Sequence, residues 1–318
     1  MKIVVTGSAG HLGEALVRTL QATGHEVLGV DVLASPFTQR VASIADRLVM
    51  RECLQGANAV LHAATLHKPH VATHSNQQFI DVNLTGTLTL LEEASAAGVG
   101  AFVFTSTTST FGRALSPAEG QPAAWITEDV VPVPKNIYGV TKVAAESLCE
   151  LFHRMHGLPV LILKTSRFFP EEDDDPEMRR MYSDDNSKLN ELLFRRVDIE
   201  DVVSAHLLAL DKARALGFGR YIISATSPFT GDDLAELRRD APVVVQRYAP
   251  EYHDVYTPLG YRMFATIDRV YVNTRARREL GWQPKHDFAS ALRALRAGGP
   301  LQSELARVVG AKGYHRHA

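Results

Sequence analysis

A tyrosine and a lysine spaced four residues apart have the side-chain chemistry of a proton-transfer site. The stretch YGVTK places Tyr138 and Lys142 at positions i and i+4 of a helical pattern, so both side chains lie on one helix face. An ammonium group near a phenol favours the phenolate and lowers the pKa of the tyrosine. The tyrosine can then take a proton from an alcohol or return one. Because Y-x-x-x-K is common by chance, its position relative to the other elements decides its meaning.

A run of hydroxyl residues ends the strand pattern that precedes this helix. In the segment FTSTTSTFG, Thr107 stands just past the predicted strand, residues 101–106. Open α/β sheets bind ligands at the carboxyl edge of their strands, where this hydroxyl would lie beside the tyrosine and hydrogen-bond the reacting oxygen. Thr107 is therefore the preferred candidate, although most hydroxyls in such runs satisfy loop backbone groups. The alternatives for the same role are Ser106, Thr108, Ser109 and Thr110.

A glycine-rich turn near the start of the chain predicts a dinucleotide-binding site. The run Gly7-Ser8-Ala9-Gly10-His11-Leu12-Gly13 follows a strand pattern and opens a helical pattern. The G-x-x-G-x-x-G spacing allows a tight turn, close approach of the backbone to a pyrophosphate and close packing of helix on strand. Asp31 ends the second strand pattern, where a carboxylate accepts the adenosine ribose hydroxyls and repels a 2′-phosphate. NAD is therefore predicted over NADP, with Arg40 as the residue that could oppose this preference.

Strand and helix patterns alternate through the first half of the chain. Continuous apolar strands separated by helices predict a parallel sheet covered on both faces, which is a Rossmann-type doubly wound α/β fold. The strand patterns are residues 2–6, 26–31, 59–64, 101–106 and 159–164, and the principal helical patterns begin at Leu12, Phe79 and Tyr138.

The alternation breaks after Lys164, which predicts a smaller α+β lobe on the carboxyl edge of the sheet. Residues 1–166 are predicted to form the NAD-binding domain. Residues 167–318 are predicted to form mainly the C-terminal substrate-binding lobe, with residues 198–225 returning to the first domain. In the lobe we expect helices over 231–240, 274–282 and 289–299, and a strand over PVVVQRY, residues 242–248.

The composition is that of a globular protein and excludes several classes. The 318 residues are 45% hydrophobic and 22% charged with a formal net charge of −2, so the charge balance predicts no binding to nucleic acid or anionic membrane. No apolar run reaches the roughly 18 residues of a membrane span, and the N-terminal run is too short for a secretory signal. Cys53 and Cys149 are expected to be reduced structural thiols of a cytoplasmic protein.

Together these motifs resemble the extended short-chain dehydrogenase/reductase superfamily, and within it the NAD-dependent epimerase/dehydratase family. The stretches VTGSAGHLG, VLHAAT, DVNLTGT, FTSTTSTFG, YGVTK and ARRELGW occur in the order of that family and span nearly the whole chain. The resemblance implies that the catalytic residues are Thr107, Tyr138 and Lys142.

The resemblance also implies the residues that contact NAD. Ser43 and Ile44 match a pair that touches adenine, and Asn83 matches an asparagine near the cofactor ribose. No metal is expected, because the family needs none and the four histidines between residues 62 and 74 are expected to pack or to face solvent. The expected cofactor residues are Gly7, Ala9, Gly10, His11, Leu12, Gly13, Asp31, Ser43, Ile44, Ala63, Ala64, Thr65, Asn83, Thr105, Tyr138 and Lys142.

The segment after residues 159–164 departs from the nucleotide-sugar pattern of the family. KTSR stands where such relatives resemble R-x-x-N, so Arg167 replaces the asparagine, and the segment is also shorter. This form resembles the uronate-dehydrogenase branch, which implies a small acidic or polyhydroxy sugar. Arg167 is expected to bind that substrate, with a structural pair to Glu171 or Glu172 as an equal alternative. The expected substrate contacts are His67, Thr108, Arg167 and Arg196, with Arg195 as a further candidate.

The expected function is oxidation of a sugar or sugar-acid carbinol by hydride transfer to NAD, with Tyr138 as the acid/base. Thr108 and Ser109 stand where a dehydratase carries an acidic pair, which argues against dehydration. Two alternatives remain open: an NDP-sugar epimerase that returns the hydride, and a non-catalytic protein that senses or binds NAD. The acidic run 171–177 is expected to be a solvated loop, and the resemblance implies a homodimer through two long helices.

Overall fold

A parallel seven-stranded sheet forms the centre of the protein, in a computed structural model that describes residues 1–313. The strands in chain order are β1 (Lys2–Thr6), β2 (Glu26–Asp31), β3 (Arg40–Val41), β4 (Ala59–His62), β5 (Ala101–Thr107), β6 (Ala124–Ile126), β7 (Val160–Thr165), β8 (Phe218–Ile223) and β9 (Arg269–Tyr271). The large sheet has the order β3-β2-β1-β4-β5-β7-β8, and β6 pairs with β9 in a small second sheet. The order reverses between β1 and β4, which is the switch point where doubly wound folds bind ligands. The predicted fold class is therefore confirmed.

Helices cover both faces of the large sheet. α1 and α8 pack on one face, and α2, α4 and α5 pack on the other. The helices are α1 (His11–Ala22), α2 (Arg47–Leu54), α3 (Asn76–Phe79), α4 (Gly86–Ala96), α5 (Ile137–His156), α6 (Pro176–Met181), α7 (Asp184–Glu191), α8 (Ile199–Leu216), α9 (Leu234–Leu237), α10 (Ala241–Tyr248), α11 (Tyr252–Leu259), α12 (Thr274–Leu280), α13 (Phe288–Arg296) and α14 (Glu304–Val309).

The central strands are buried on both sides because their side chains alternate between two apolar layers. In β7, Leu161 and Leu163 belong to the layer against α1 and α8, whereas Val160 and Ile162 belong to the opposite layer. This explains why the strand reads as an uninterrupted apolar run. β8 continues the same sheet by pairing with β7, and the division of the chain at residue 166 stays a prediction.

The lobe after β7 has its own apolar core, and one element there differs from the sequence prediction. Residues 242–248 were predicted to form a strand, which is wrong, because they lie in α10. The side chain of Asp240 caps this helix, Pro242 stands in its first turn, and Val244 and Val245 are buried in the lobe core. β-branched residues lower helix propensity by less than about 1 kcal/mol each, so capping and burial outweigh it.

Other expectations for the chain need smaller adjustments. The helix predicted over residues 231–240 is reduced to a short 3₁₀ turn, Gly231–Asp233, followed by α9. The long helix from Phe79 contains a π-helical segment, Ile80–Thr85, before α4. Cys53 and Cys149 are buried and free. Within residues 1–313, no helix combines the length and apolar character needed to cross a membrane.

Candidate active site

A cleft of about 670 Å³ runs along the carboxyl edge of the large sheet. The ends of β1, β2, β4, β5 and β7 all contribute to it, so the parallel strand direction brings distant segments together. Three predicted site residues do not line the cleft, namely Asn83, Lys142 and Arg196. Those that do are Gly7, Ala9, Gly10, His11, Leu12, Gly13, Asp31, Ser43, Ile44, Ala63, Ala64, Thr65, His67, Thr105, Thr107, Thr108, Tyr138 and Arg167.

The glycine-rich turn has no room for side chains. Gly7 has a φ of +76°, and a Cβ at this position would lie 2.7 Å from the amide nitrogen of Ala64. A Cβ on Gly13 would lie 1.9 Å from the Gly7 carbonyl oxygen, so α1 packs directly on the turn. The N-terminus of α1, which begins at His11, therefore presents its N–H groups beside the cleft. Such a cradle fits the phosphates of a dinucleotide.

Asp31 connects the end of β2 to the glycine-rich turn. Its Oδ2 accepts a hydrogen bond from the amide of Ala9 at 3.0 Å, and its Oδ1 accepts one from the amide of Leu33 at 2.9 Å. A carboxylate offers about four acceptor sites, so it can accept ribose hydroxyls in addition. Ser43 and Ile44 line the same cleft. This donor and acceptor set fits the adenosine half of NAD.

Asn83 shapes the cleft from behind the loop that follows β4. Its Oδ1 accepts a hydrogen bond from the amide of Leu66 at 2.8 Å, and its Nδ2 donates to the Leu66 carbonyl at 2.9 Å. The same Nδ2 donates to the Thr141 hydroxyl on α5 at 3.1 Å. Asn83 therefore fixes this loop against the helix that carries Tyr138, and its contact with NAD stays a prediction.

Thr107 and Tyr138 meet at the floor of the cleft. Thr107 ends β5 and Tyr138 stands in the first turn of α5, which Asn136 caps by accepting a hydrogen bond from the amide of Gly139 at 3.0 Å. Burial raises the pKa of Tyr138 to about 12, and the hydrogen bond with the Thr107 side chain opposes this increase. The two residues that sequence reasoning selected for proton transfer therefore share one hydrogen bond.

Lys142 lies beneath the cleft floor, one helical turn after Tyr138. Its Nζ donates to the Thr105 carbonyl at 2.6 Å and lies 4.0 Å from the centroid of the Phe104 ring. Burial lowers the pKa of Lys142 to about 7, and the charge of Glu146 opposes this. The expectation that Lys142 lowers the pKa of Tyr138 was wrong for this structure, because burial of the phenol dominates and the opposing contact comes from Thr107.

Glu146 on α5 connects this helix to β5 and β7 beneath the cleft. It lies one turn beyond Lys142 on α5, and both of its oxygens accept from the Lys164 ammonium on β7, at 2.7 and 2.9 Å. The Ser106 hydroxyl on β5 also donates to Glu146. All three side chains are buried, so the ion pair is shielded from water. This buried carboxylate was not anticipated from the sequence, where the i+4 spacing from Lys142 was its only signal.

Arginine side chains gather at the other end of the cleft. Arg167, Arg195 and Arg269 line it, whereas Arg196 is 7% exposed and pairs with Glu191 at 2.8 Å outside the cleft. Arg269 on β9 was missed because no motif surrounds it. Ser166, on the same part of the cleft, has a buried hydroxyl without a hydrogen-bond partner among residues 1–313.

The acidic run 171–177 was expected to be solvated, and this is wrong for two of its members. Asp173 pairs with Arg167 at 2.7 Å and lies 3.7 Å from Arg195, so the run folds back onto the arginines. The side chain of Glu171 is 8% exposed and lies 3.1 Å from Nε2 of His11. In the described part of the chain no cluster of His, Cys, Asp or Glu has the arrangement of a metal site.

His67 lines the cleft in a row of three imidazole rings that contact one another at an angle. Its ring centroid is 4.3 Å from that of His70, which is 5.0 Å from that of His74. All three residues line the cleft. His67 also contacts the Phe169 ring, with 5.4 Å between centroids, so it is held by packing as well as by polar contacts.

The fold, the glycine cradle with Asp31, and the Thr107–Tyr138 pair define an NAD-binding enzyme of the short-chain dehydrogenase/reductase type. The model of the NAD dependent epimerase/dehydratase family matches residues 3–223. The chain therefore belongs to this family, and NAD is its cofactor.

Relatives and solved structures cover nearly the whole chain. The chain is 26% identical over 322 residues to the UDP-glucose 4-epimerase of Lactobacillus helveticus, an alignment that covers 90% of this chain and 93% of the relative. A short-chain dehydrogenase/reductase superfamily protein from Agrobacterium tumefaciens with bound NAD has a TM-score of 0.67 and 24% identity, covering 94% and 98% of the two chains. The UDP-glucose 4-epimerase of Thermotoga maritima, solved with UDP-glucose, has a TM-score of 0.64 and 23% identity, covering 94% and 99%. At these identities the two structures support the fold alone.

Proposed function

We propose that this enzyme oxidises a carbinol of a sugar or sugar acid by hydride transfer, with Tyr138 as the acid/base. The observation that carries the proposal is the Thr107–Tyr138 hydrogen bond in the same cleft as the glycine cradle. When bound, NAD supplies an oxidised nicotinamide that accepts the hydride.

The protein supplies the proton transfer and the orientation of the substrate. Tyr138 takes the proton of the reacting alcohol in its phenolate form, and the Thr107 hydroxyl hydrogen-bonds the same oxygen. Burial raises the pKa of this phenol to about 12, and the positive charge of an oxidised nicotinamide bound beside it would favour the phenolate. Both side chains are less than one-tenth exposed, so little water competes for these contacts. Lys142, one helical turn after Tyr138 on α5, is held beneath the cleft by the Thr105 carbonyl.

We further propose that the substrate is anionic. Within residues 1–313, three arginines line the substrate end of the cleft, whereas the carboxylates that pair with them do not belong to its lining. The Nε atoms of Arg195 and Arg269 are buried and have no hydrogen-bond partner among the described residues, so an acceptor that reached them would satisfy both donors. A uronate carboxylate matches this set better than a neutral aldose. The three arginines are Arg167, Arg195 and Arg269, and the carboxylates belong to Asp173, Glu191 and Asp268.

An NDP-sugar epimerase is the second candidate, and the similarity to UDP-glucose 4-epimerases supports it. The same pair, Thr107 and Tyr138, would serve, because an epimerase returns the hydride to the oxidised sugar. The third possibility, a protein that only binds or senses NAD, does not require Tyr138 to lie against Thr107.

One experiment separates the three functions. The purified protein is mixed with NAD and with a panel of uronates, neutral aldoses and NDP-sugars, and both NADH absorbance and sugar products are followed. Net NADH with a uronate supports the proposed dehydrogenase. Epimerised NDP-sugar without net NADH supports the second candidate. NAD binding without any turnover across the panel would leave only the sensor.

We also propose that the protein is a cytoplasmic homodimer that pairs through α4 and α5. Leu91 and Ala145 on these helices are fully buried within the protomer, so they do not belong to such an interface. Val140 on α5 is 49% exposed and is available to a partner. Sedimentation of the wild type and of Val140→Glu tests this, since a dimer through α5 should dissociate in the variant.

A further inference from the structure

The segment that follows α14 reaches the phosphate end of the cofactor cleft. α14 packs against α1 and α8, and Val309 at its end belongs to the core cluster. The helix start is anchored because the Ser303 hydroxyl donates to Asp198, the capping residue of α8, at 2.6 Å. Lys312, three residues beyond α14, lines the cleft together with the glycine-rich turn.

Lys312 contacts the first turn of α1 and the acidic run at the same time. Its backbone N–H donates to Oε1 of Glu171 at 3.0 Å, and Nε2 of His11 lies 3.1 Å from that same oxygen. Its ammonium pairs with the carboxylate of Glu14. Three segments that are far apart in the sequence therefore meet around one lysine.

The charges at this point are unusual for a site that binds phosphates. Glu14 and Glu171 are both nearly buried, with side chains 7% and 8% exposed, and both lie next to the helix end that attracts the phosphates. Oε2 of Glu171 has no hydrogen-bond partner among the described residues. Neither carboxylate belongs to the cleft lining, but both lie directly behind residues that do, namely His11 and Lys312. Negative charge buried at this helix end would disfavour a pyrophosphate unless cations offset it.

We propose that Lys312 is part of the NAD site: it closes the phosphate end of the cleft, and its ammonium offsets the carboxylates of Glu14 and Glu171. The inference rests on the NAD cofactor and not on the identity of the sugar. Arg18 also pairs with Glu14, at 2.8 Å. Lys312 lines the cleft, whereas Arg18 does not, so we assign the role at the phosphates to Lys312.

The test measures NAD binding by calorimetry and needs no substrate. Lys312→Met keeps the aliphatic stem and removes the charge, and it should raise the Kd for NAD about fivefold at low ionic strength. Glu14→Gln combined with Lys312→Met should return the Kd to within about twofold of the wild type, because the carboxylate is removed as well. Lys312→Arg, which keeps the charge, should also stay within about twofold.

Lys135→Met is the matched control, since this lysine is exposed, donates a hydrogen bond to the Ser116 hydroxyl and lies outside the cleft. Its Kd for NAD should equal that of the wild type. Thermal unfolding of each variant identifies any loss of folding. An unchanged Kd in a folded Lys312→Met variant would overturn the proposal. A double variant as weak as Lys312→Met would overturn it too, because the effect would then not depend on the Glu14 charge.

Discussion

Arg167 and Asp173 form an ion pair at the substrate end of the cleft, with 2.7 Å between Nη1 and Oδ2. The other guanidinium nitrogen, Nη2, donates to the Glu172 carbonyl at 2.9 Å. The arginine is therefore held in place by the acidic run while it lines the cleft. The ion pair predicted with Glu171 or Glu172 is made with Asp173 instead, and substrate contact by Arg167 stays a prediction that this arrangement allows.

Substitution at this pair should affect anionic and neutral substrates differently. Arg167→Ala removes a guanidinium from the cleft, so KM for a uronate should rise about tenfold, with little change for a neutral aldose. Asp173→Asn removes a competing carboxylate and should lower KM for the uronate. Steady-state kinetics with both substrate classes measures these changes, and the Kd for NAD serves as the control. Equal changes in KM for both substrate classes would contradict an anion-binding role.

The hydrogen bond between Thr107 and Tyr138 should matter for turnover more than for binding. Tyr138→Phe removes the proton donor and acceptor, so kcat should fall by about 10² to 10⁴ while NAD still binds. Thr107→Val should lower kcat as well, whereas Thr107→Ser keeps the hydroxyl and should retain most activity. Single-turnover hydride transfer measures the chemical step directly. A Tyr138→Phe variant with wild-type kcat would exclude Tyr138 as the acid/base.

The sequence was sufficient for the buried strands of the large sheet, because each is an apolar run between helical patterns. It did not predict the exposed edge strand β3, which has only two residues. The sequence also predicted that Gly7, Asp31, Thr107 and Tyr138 lie in one cleft, since each stands at a strand end or helix start of a parallel sheet. Residues that depend on long-range packing were not predictable. Lys312 reaches the cleft only because α14 is anchored on α8, and no local pattern indicates that contact.

Dependence on long-range packing also explains two wrong predictions, the strand over residues 242–248 and the solvated acidic run. In residues 242–248 the β-branched pattern favours a strand, but a cap at Asp240 and burial in the lobe core decide for a helix. In the acidic run, composition alone favours solvation, yet Asp173 is drawn to arginines that come from another part of the chain.

Glu146 should control the protonation of Lys142 from beneath the cleft. Burial lowers the pKa of Lys142 to about 7, and the negative charge of Glu146 is the first influence that opposes this. Glu146→Gln removes the charge, so the pKa of Lys142 should fall further, whereas Glu146→Asp should largely preserve it. NMR titration of the Lys142 amine in wild type and variants measures the pKa without any substrate. An unchanged or higher pKa in a folded Glu146→Gln variant would contradict this role.

Glu171 should make the protein sensitive to acid. Burial alone would raise the pKa of this carboxyl, but contacts from His11 and from the backbone N–H of Lys312 hold it at about 2 instead of the ordinary 4.5. A carboxyl with a lowered pKa in the folded state stabilises that state above its unfolded pKa, and this contribution is lost as pH falls from about 4.5 towards 2. Glu171→Gln should therefore be less stable than the wild type at pH 7, and the difference should shrink below about pH 4.5. Urea unfolding of both proteins between pH 7 and pH 3 measures the difference, with the exposed Asp211→Asn as the control. A stability difference that stayed constant across this range would show that the Glu171 charge is not what joins the acidic run to α1.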